Sequence, residues 1–197
     1  MARTTALILG ALALAALVAE FHRLGSRPML DDWGARLWSM ARYFTILTNA
    51  LVAVVLLALA AGRRVGPDLV TMAVLNIALV GVVYQTLLRP PMPLQGLHFW
   101  TDLALHAMVP AGAVLWWLGY GPRGLTNGRI PRWLVWPLAY CFYALWRGAM
   151  DGRYPYFFVD VGRFGWARVG LNIAGLALVF AAAGWGLAAL SRRLPRG

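Results

Sequence analysis

The chain has 197 residues, 61% of them hydrophobic and 13% charged, with a mean hydropathy of +0.65 and a formal net charge of +11. A soluble domain carries about 25% charged residues, so this composition excludes an ordinary water-soluble fold and points to an integral membrane protein. The 18 basic residues are all arginine and fall mostly between apolar segments. There they meet anionic headgroups and set topology, so no nucleic-acid partner is expected.

Taken in chain order, six apolar segments of roughly 17–22 residues follow, each about long enough to cross a hydrocarbon core. The first, Thr5–Phe21, comes after Arg3 and has the build of a secretory signal. We read it as a first spanning helix that doubles as an uncleaved insertion signal. The second covers Ala41–Ala61, and Gly62 to Asp68 makes a tight turn with Asp68 as N-cap of the third, Leu69–Leu88. The run Arg89-Pro90-Pro91-Met92-Pro93 ends that helix, since consecutive prolines cannot continue it. The fourth, fifth and sixth segments are Phe99–Leu118, Trp133–Met150 and Val169–Leu190. The prediction is an all-α polytopic membrane protein, a single six-helix transmembrane bundle over residues 1–197 with no soluble domain.

An even number of spans puts both termini on one side. The arginines divide equally between the two sides, but the turns and tail on the terminal side are almost purely basic, with Asp68 their one acid. That favours cytoplasmic termini in a bacterial cytoplasmic membrane. Trp33, Trp38, Trp100, Trp133, Trp166 and Tyr154 lie at segment ends, where amphipathic rings favour the interface. The aromatic stretch Tyr154 to Asp160 reads either as such an anchor or as a partial plug over a cavity. Cys141, the single cysteine, rules out an intrachain disulfide and reads as packing.

Two spans carry candidate chemistry. In the second, Thr45, Thr48 and Asn49 stand at i, i+3 and i+4 and share one face. Such a stripe commonly does no more than bond helices together. In the fourth, His98, Asp102 and His106 follow at successive turns, with Pro110 four residues on. Proline has no N–H, so the helix should kink and leave the His106 carbonyl free for water, a side chain or substrate. Ionisable groups at membrane depth are costly and usually have work to do, although a buried pair that locks the bundle is the plainer alternative. A neutral His106 is a fitting base for the Thr45 hydroxyl, and Asp102 can hold its tautomer as the third member of a triad does.

The block Arg42-Tyr43-Phe44-Thr45 at a helix start, with His106 and Pro110 two helices later, resembles the androgen-induced gene family. Its members are six-span intramembrane hydrolases of fatty acid esters of hydroxy fatty acids that use a threonine and a histidine. The block Tyr154-Pro155-Tyr156-Phe157 is similar to that of a bacterial branch of such proteins. The resemblance implies Thr45 as nucleophile and His106 as base, with membrane lipids as surroundings and a lipid-like small molecule as substrate.

Substrate contacts are expected from Asn49 or a backbone N–H at an oxyanion, with Thr48 and Tyr156 beside them and Arg42 or Arg147 on a carboxylate or phosphate. A non-enzymatic lipid-binding, transport or assembly protein is the competing reading, supported by Asn76 and Asn172 well inside spans. A metal held by His98, Asp102 and His106 is a third. Their three turns cover about 12 Å of rise, too far for one ion with ligand bonds of about 2 Å, so no metal or cofactor is expected. Glu20, the one glutamate, is expected to pair with an arginine such as Arg42 or Arg147.

Overall fold

A computed structural model describes residues 1–195, and every regular element among them is helical. That follows from the composition, because a backbone with no water to bond must satisfy its own N–H and C=O groups. The helices are α1 (Ala2–Leu24), α2 (Trp33–Met40), α3 (Phe44–Ala60), α4 (Pro67–Val83), α5 (Gly96–Leu103), α6 (Val109–Tyr120), α7 (Ile130–Asp151) and α8 (Val161–Arg193). They group into two compact units, Met1–Pro122 and the chain from Arg123 on.

Four helical stretches are long and apolar enough to cross a membrane: Ala2–Leu24, Pro67–Leu88, Gly96–Tyr120 and Val161–Arg193. A fifth arises if α2 and α3, bent by 95° to one another, count as one broken span. The helix α7 is 22 residues long but not among them, because its tryptophans, tyrosines and Arg132 dilute the aliphatic content. The exposed residues run opposite to a soluble protein's. Ile8, Val54, Leu115, Leu171 and Leu178 face outward, while Thr48, Asn49, Thr71, Asn76, Thr101 and Ser191 are buried. Such a surface, with several apolar helices, suggests an integral membrane protein.

In the first unit α1 packs on α3 and α6, and α4 on α3 and α6. Small residues let α1 come close: Ala6, Gly10, Ala13 and Ala16 form its buried face. A Cβ on Gly10 would stand 2.9 Å from Leu57 Cγ. Asp32 caps α2, its Oδ2 accepting the Ala35 N–H at 2.8 Å, and Arg36 ties the preceding loop by donating to the carbonyls of Leu30 and Asp31. Gly66 is the N-cap of α4, with Pro67 opening the helix, so Asp68 sits in the first turn instead of capping it.

In the second unit the segment after α7 folds back on its own helices. Gly152 closes α7 in the left-handed conformation, and Tyr154 lies so near Gly148 that a Cβ there would overlap its ring. Asn172 Nδ2 donates to the Phe158 carbonyl at 2.8 Å. Asp160 accepts the Arg163 N–H, and the chain breaks at Gly165 (φ 71°) before the long run of α8. Of the tryptophans expected at the interface, Trp33, Trp38, Trp100 and Trp166 are exposed. Trp133 is not: it is fully buried, where its indole fills core volume.

The expected kink before Pro110 takes the form of a wide helical turn over Ala104–Met108, in which the Val109 N–H reaches back five residues to Ala104. A second such turn, Tyr84–Leu88, ends the α4 span, with Arg89 N–H on the Tyr84 carbonyl at 2.8 Å. The carbonyl of His106 that Pro110 leaves without a helical donor lies against α4. A Cβ on Gly81 would stand 3.3 Å from that oxygen and 3.0 Å from Pro110 Cβ. We therefore expect Gly81→Val to overpack this crossing at a cost of about 1–3 kcal/mol, read as a lower midpoint in thermal unfolding of the detergent-solubilised protein. Gly81→Ala should cost less, and an unchanged midpoint for valine would mean that the two helices are not in close contact.

Candidate functional site

Glu20, Arg23, Thr45, Asn49, Tyr84, Thr101, Asp102 and His106 come from the end of α1, the start of α3, the end of the α4 span, and α5 with the wide turn after it. At the centre stand Asp102 and His106, one turn apart across the junction of α5 with the wide turn. The His106 Nδ1 lies 3.0 Å from Asp102 Oδ1 and 3.1 Å from the Asp102 backbone carbonyl. A carbonyl oxygen only accepts, and so does an ionised carboxylate. Nδ1 therefore carries the proton, and in the neutral ring Nε2 is the bare, basic nitrogen.

Sequence reasoning missed a third member. The Tyr84 hydroxyl, from α4, donates to the same Asp102 Oδ1. Its ring also stacks on the imidazole, with centroids 3.7 Å apart and planes 11° from parallel. The signal was present: Tyr84 is the one aromatic residue in Pro67–Leu88, and a phenol among aliphatics needs a hydrogen-bond partner. The triad is flanked by both wide turns, a distortion that is frequent at functional sites.

The helix α3 meets this site through Asn49. Its Nδ2 donates to the Thr45 carbonyl at 2.9 Å and to the Leu105 carbonyl at 3.2 Å, joining α3 to the turn that holds His106. Both amide hydrogens are thereby used, and Asn49 Oδ1 is left buried with no partner among the described residues. Asn49 thus has no hydrogen to offer an oxyanion in this arrangement, and its open valence is that of an acceptor. Ile46 packs against the cluster of Ala16, Ala104 and Leu105, and the Asn49–Leu105 bond sets the start of α3 beside the turn carrying His106. Among the described residues no hydrogen bond joins the Thr45 hydroxyl to His106. Thr48 is fully buried on the same helix.

The remaining expected contacts belong to both units. Arg42 sits half-buried at the bend between α2 and α3. Arg147 and Tyr156 belong to the second unit. Arg147 is 1% exposed and donates to the Tyr143 hydroxyl at 2.8 Å, while Tyr156 stacks on Phe158. Glu20 pairs not with Arg42 or Arg147 but with Arg23, one turn on, at 2.6 Å, and also accepts from Thr101 Oγ1 at 3.2 Å. The local pairing wins because i, i+3 side chains already meet on one helix face. Among the described residues no three His, Cys, Asp or Glu side chains lie close enough to hold one metal ion. His98 stands a turn beyond Asp102 and is exposed.

Comparison with protein-family models, with curated proteins and with solved structures finds no match in any of the three. The chemistry is therefore read from the side chains alone. They offer a base of fixed tautomer, a carboxylate that orients it and a hydroxyl on a neighbouring turn. The Asn49 clasp between α3 and the wide turn predicts a ranking of variants. Asn49→Leu removes the two bonds and leaves a buried carbonyl unpaired, at about 1–3 kcal/mol. Asn49→Asp should be worse, since it sets a carboxylate against two carbonyl oxygens. Chemical or thermal unfolding of the three proteins in one detergent measures the order, and equal stabilities would show that the clasp is not made.

Proposed function

We propose that the protein is an intramembrane hydrolase of lipid esters, with Thr45 as nucleophile, His106 as its base and Asp102 as the group that orients the imidazole. The observation that carries this reading is the Asp102–His106 pair, which holds the proton on Nδ1 and leaves Nε2 to take another. In the reaction the Thr45 oxygen attacks the ester carbonyl while its proton passes to Nε2. That proton then goes to the departing alcohol, and water, activated by the same nitrogen, hydrolyses the acyl-threonine. The resemblance to the androgen-induced gene family matches Thr45, with Thr48 one turn on as the alternative nucleophile, and supports a long-chain ester as substrate. With the Asn49 amide spent on two carbonyls, the oxyanion donor on this reading is a backbone N–H.

We take the whole chain as six spans in a bacterial cytoplasmic membrane, both termini cytoplasmic, with α7 as the fifth span. Its exposed face carries Val135, Leu138, Phe142 and Trp146, with Phe142 76% exposed, while Arg147 turns inward. An apolar face turned out and a cation turned in suit a helix in lipid. A fluorescent protein fused to the C-terminus should therefore glow, and a phosphatase fused there should be inactive; the opposite pair of results reverses the topology.

A non-enzymatic lipid-binding, transport or assembly role is the second reading. It is favoured by the absence, among the described residues, of a bond between Thr45 and His106. Activity decides between the two. In lipid nanodiscs the wild type should turn over a fluorogenic long-chain ester and react with a fluorophosphonate. Thr45→Ala should lose both, His106→Ala should fall by about 10²–10⁴ in rate, and Thr48→Ala should keep most of its activity. Equal turnover in wild type, Thr45→Ala and His106→Ala would remove the mechanism.

A further inference from the structure

One face of α4 grips His106 at two places. Gly81 lies against its backbone carbonyl, and Tyr84, three residues later on that face, covers its ring. The same Tyr84 hydroxyl donates to the carboxylate oxygen that accepts from His106 Nδ1. Two freedoms of the imidazole are controlled from one side chain. A ring stacked at 3.7 Å and 11° cannot tilt out of plane without losing the contact. A half-turn about Cβ–Cγ, which returns the ring to that plane with Cε1 in place of the bare nitrogen, is opposed by the bond from Nδ1 to Asp102. The Asp102 backbone carbonyl, the second acceptor of Nδ1, is fixed by the helix, but the bond to the carboxylate holds only while that side chain keeps its rotamer. Asp102 is half-buried, with Tyr84 and His106 on one oxygen, so removing the phenol frees the carboxylate to turn.

We propose that Tyr84 is a positioning residue for His106: its ring sets the plane of the imidazole and its hydroxyl holds Asp102, so that Nε2 stays unprotonated and aimed as the base. The last clause rests on the hydrolase reading above, whereas the fixing of ring and tautomer does not. The phenol contacts neither the attacking oxygen nor the ester. Its hydroxyl is committed to Asp102 and is not an oxyanion donor. The wide turn that begins at Tyr84 is part of the device, because it lies where α4 must present a large ring to a helix it otherwise meets through glycine.

The test uses the full chain in phospholipid nanodiscs with ¹⁵N-labelled histidine. The chain has 3 histidines, so a His106→Gln sample assigns the signal. In the wild type at mildly alkaline pH, His106 should show a protonated Nδ1 and a bare Nε2 as one sharp species. Tyr84→Phe keeps the stack and loses the hydroxyl; it should add the second tautomer and broaden the signal. Tyr84→Leu loses both and should broaden it further, and if that variant does not fold, Tyr84→Phe alone decides. In ester turnover Tyr84→Phe should lower kcat about tenfold while KM stays within about twofold, the mark of a misaligned base. A wild-type tautomer and line shape in folded Tyr84→Phe would overturn the proposal, as would a wild-type His106 protonated on Nε2 alone. If the wild type turns over no ester but Tyr84→Phe still mixes the tautomers, the positioning role stands and the hydrolase reading falls.

Discussion

A carboxylate in an apolar helix must find donors or lose its charge, and much of the first unit is arranged around how Asp102 finds them. One comes from its own helix, a turn later, as His106 Nδ1–H, and one from α4, as the Tyr84 hydroxyl. The two bonds have different reach. The first can form wherever α5 and its continuation are helical, because i and i+4 share a face. The second requires α4 to cross the turn at Ala104–Met108 in one register. Gly81 against Pro110 allows that approach, and both helices relax into wide turns beside the site. The small residue, the proline and the two distorted turns thus serve a single packing problem: bringing a phenol onto an imidazole that another helix carries.

The same division explains what could be read from the chain alone. The long apolar helices were legible because a backbone among apolar side chains has few ways to satisfy its polar groups, and their observed ends extend the expected segments by a few residues in most cases. The Asp102–His106 pair was legible because its spacing is local. Tyr84 was not, since nothing in a linear pattern says which residue of α4 meets residue 102. The Asn49 amide was half legible. Its polar stripe on α3 could be seen, but the direction of the amide depends on the Leu105 carbonyl of a distant helix, and that direction changes its chemistry from donor to acceptor. Glu20 went the other way: distant arginines were expected, and the neighbour one turn on took the bond. Trp133 shows the limit of position as a guide, because a segment end in sequence can still be buried in packing.

Depth constrains the chemistry as much as identity does. Tyr84 is four residues before the end of its helical stretch at Leu88, Asp102 is six past Gly96, and Thr45 is the second residue of α3. At about 1.5 Å of rise per residue, Tyr84, Asp102 and Thr45 lie within about two turns of the ends of their helical stretches, whereas His106, ten residues past Gly96, sits near the middle of Gly96–Tyr120. Glu20, Arg23 and Thr101 form their own polar contact between the end of α1 and α5. On the hydrolase reading proposed above, an ester would have to reach His106 past these polar helix ends, with its hydrocarbon along the aliphatic lengths of α1 and α4. An ester close to the polar end of an amphiphile meets that condition, and one buried at the tail of a long chain does so only if the chain folds back toward the surface. That reading therefore selects among esters by the position of the ester relative to the polar end of its molecule, before any contact with a particular side chain is considered.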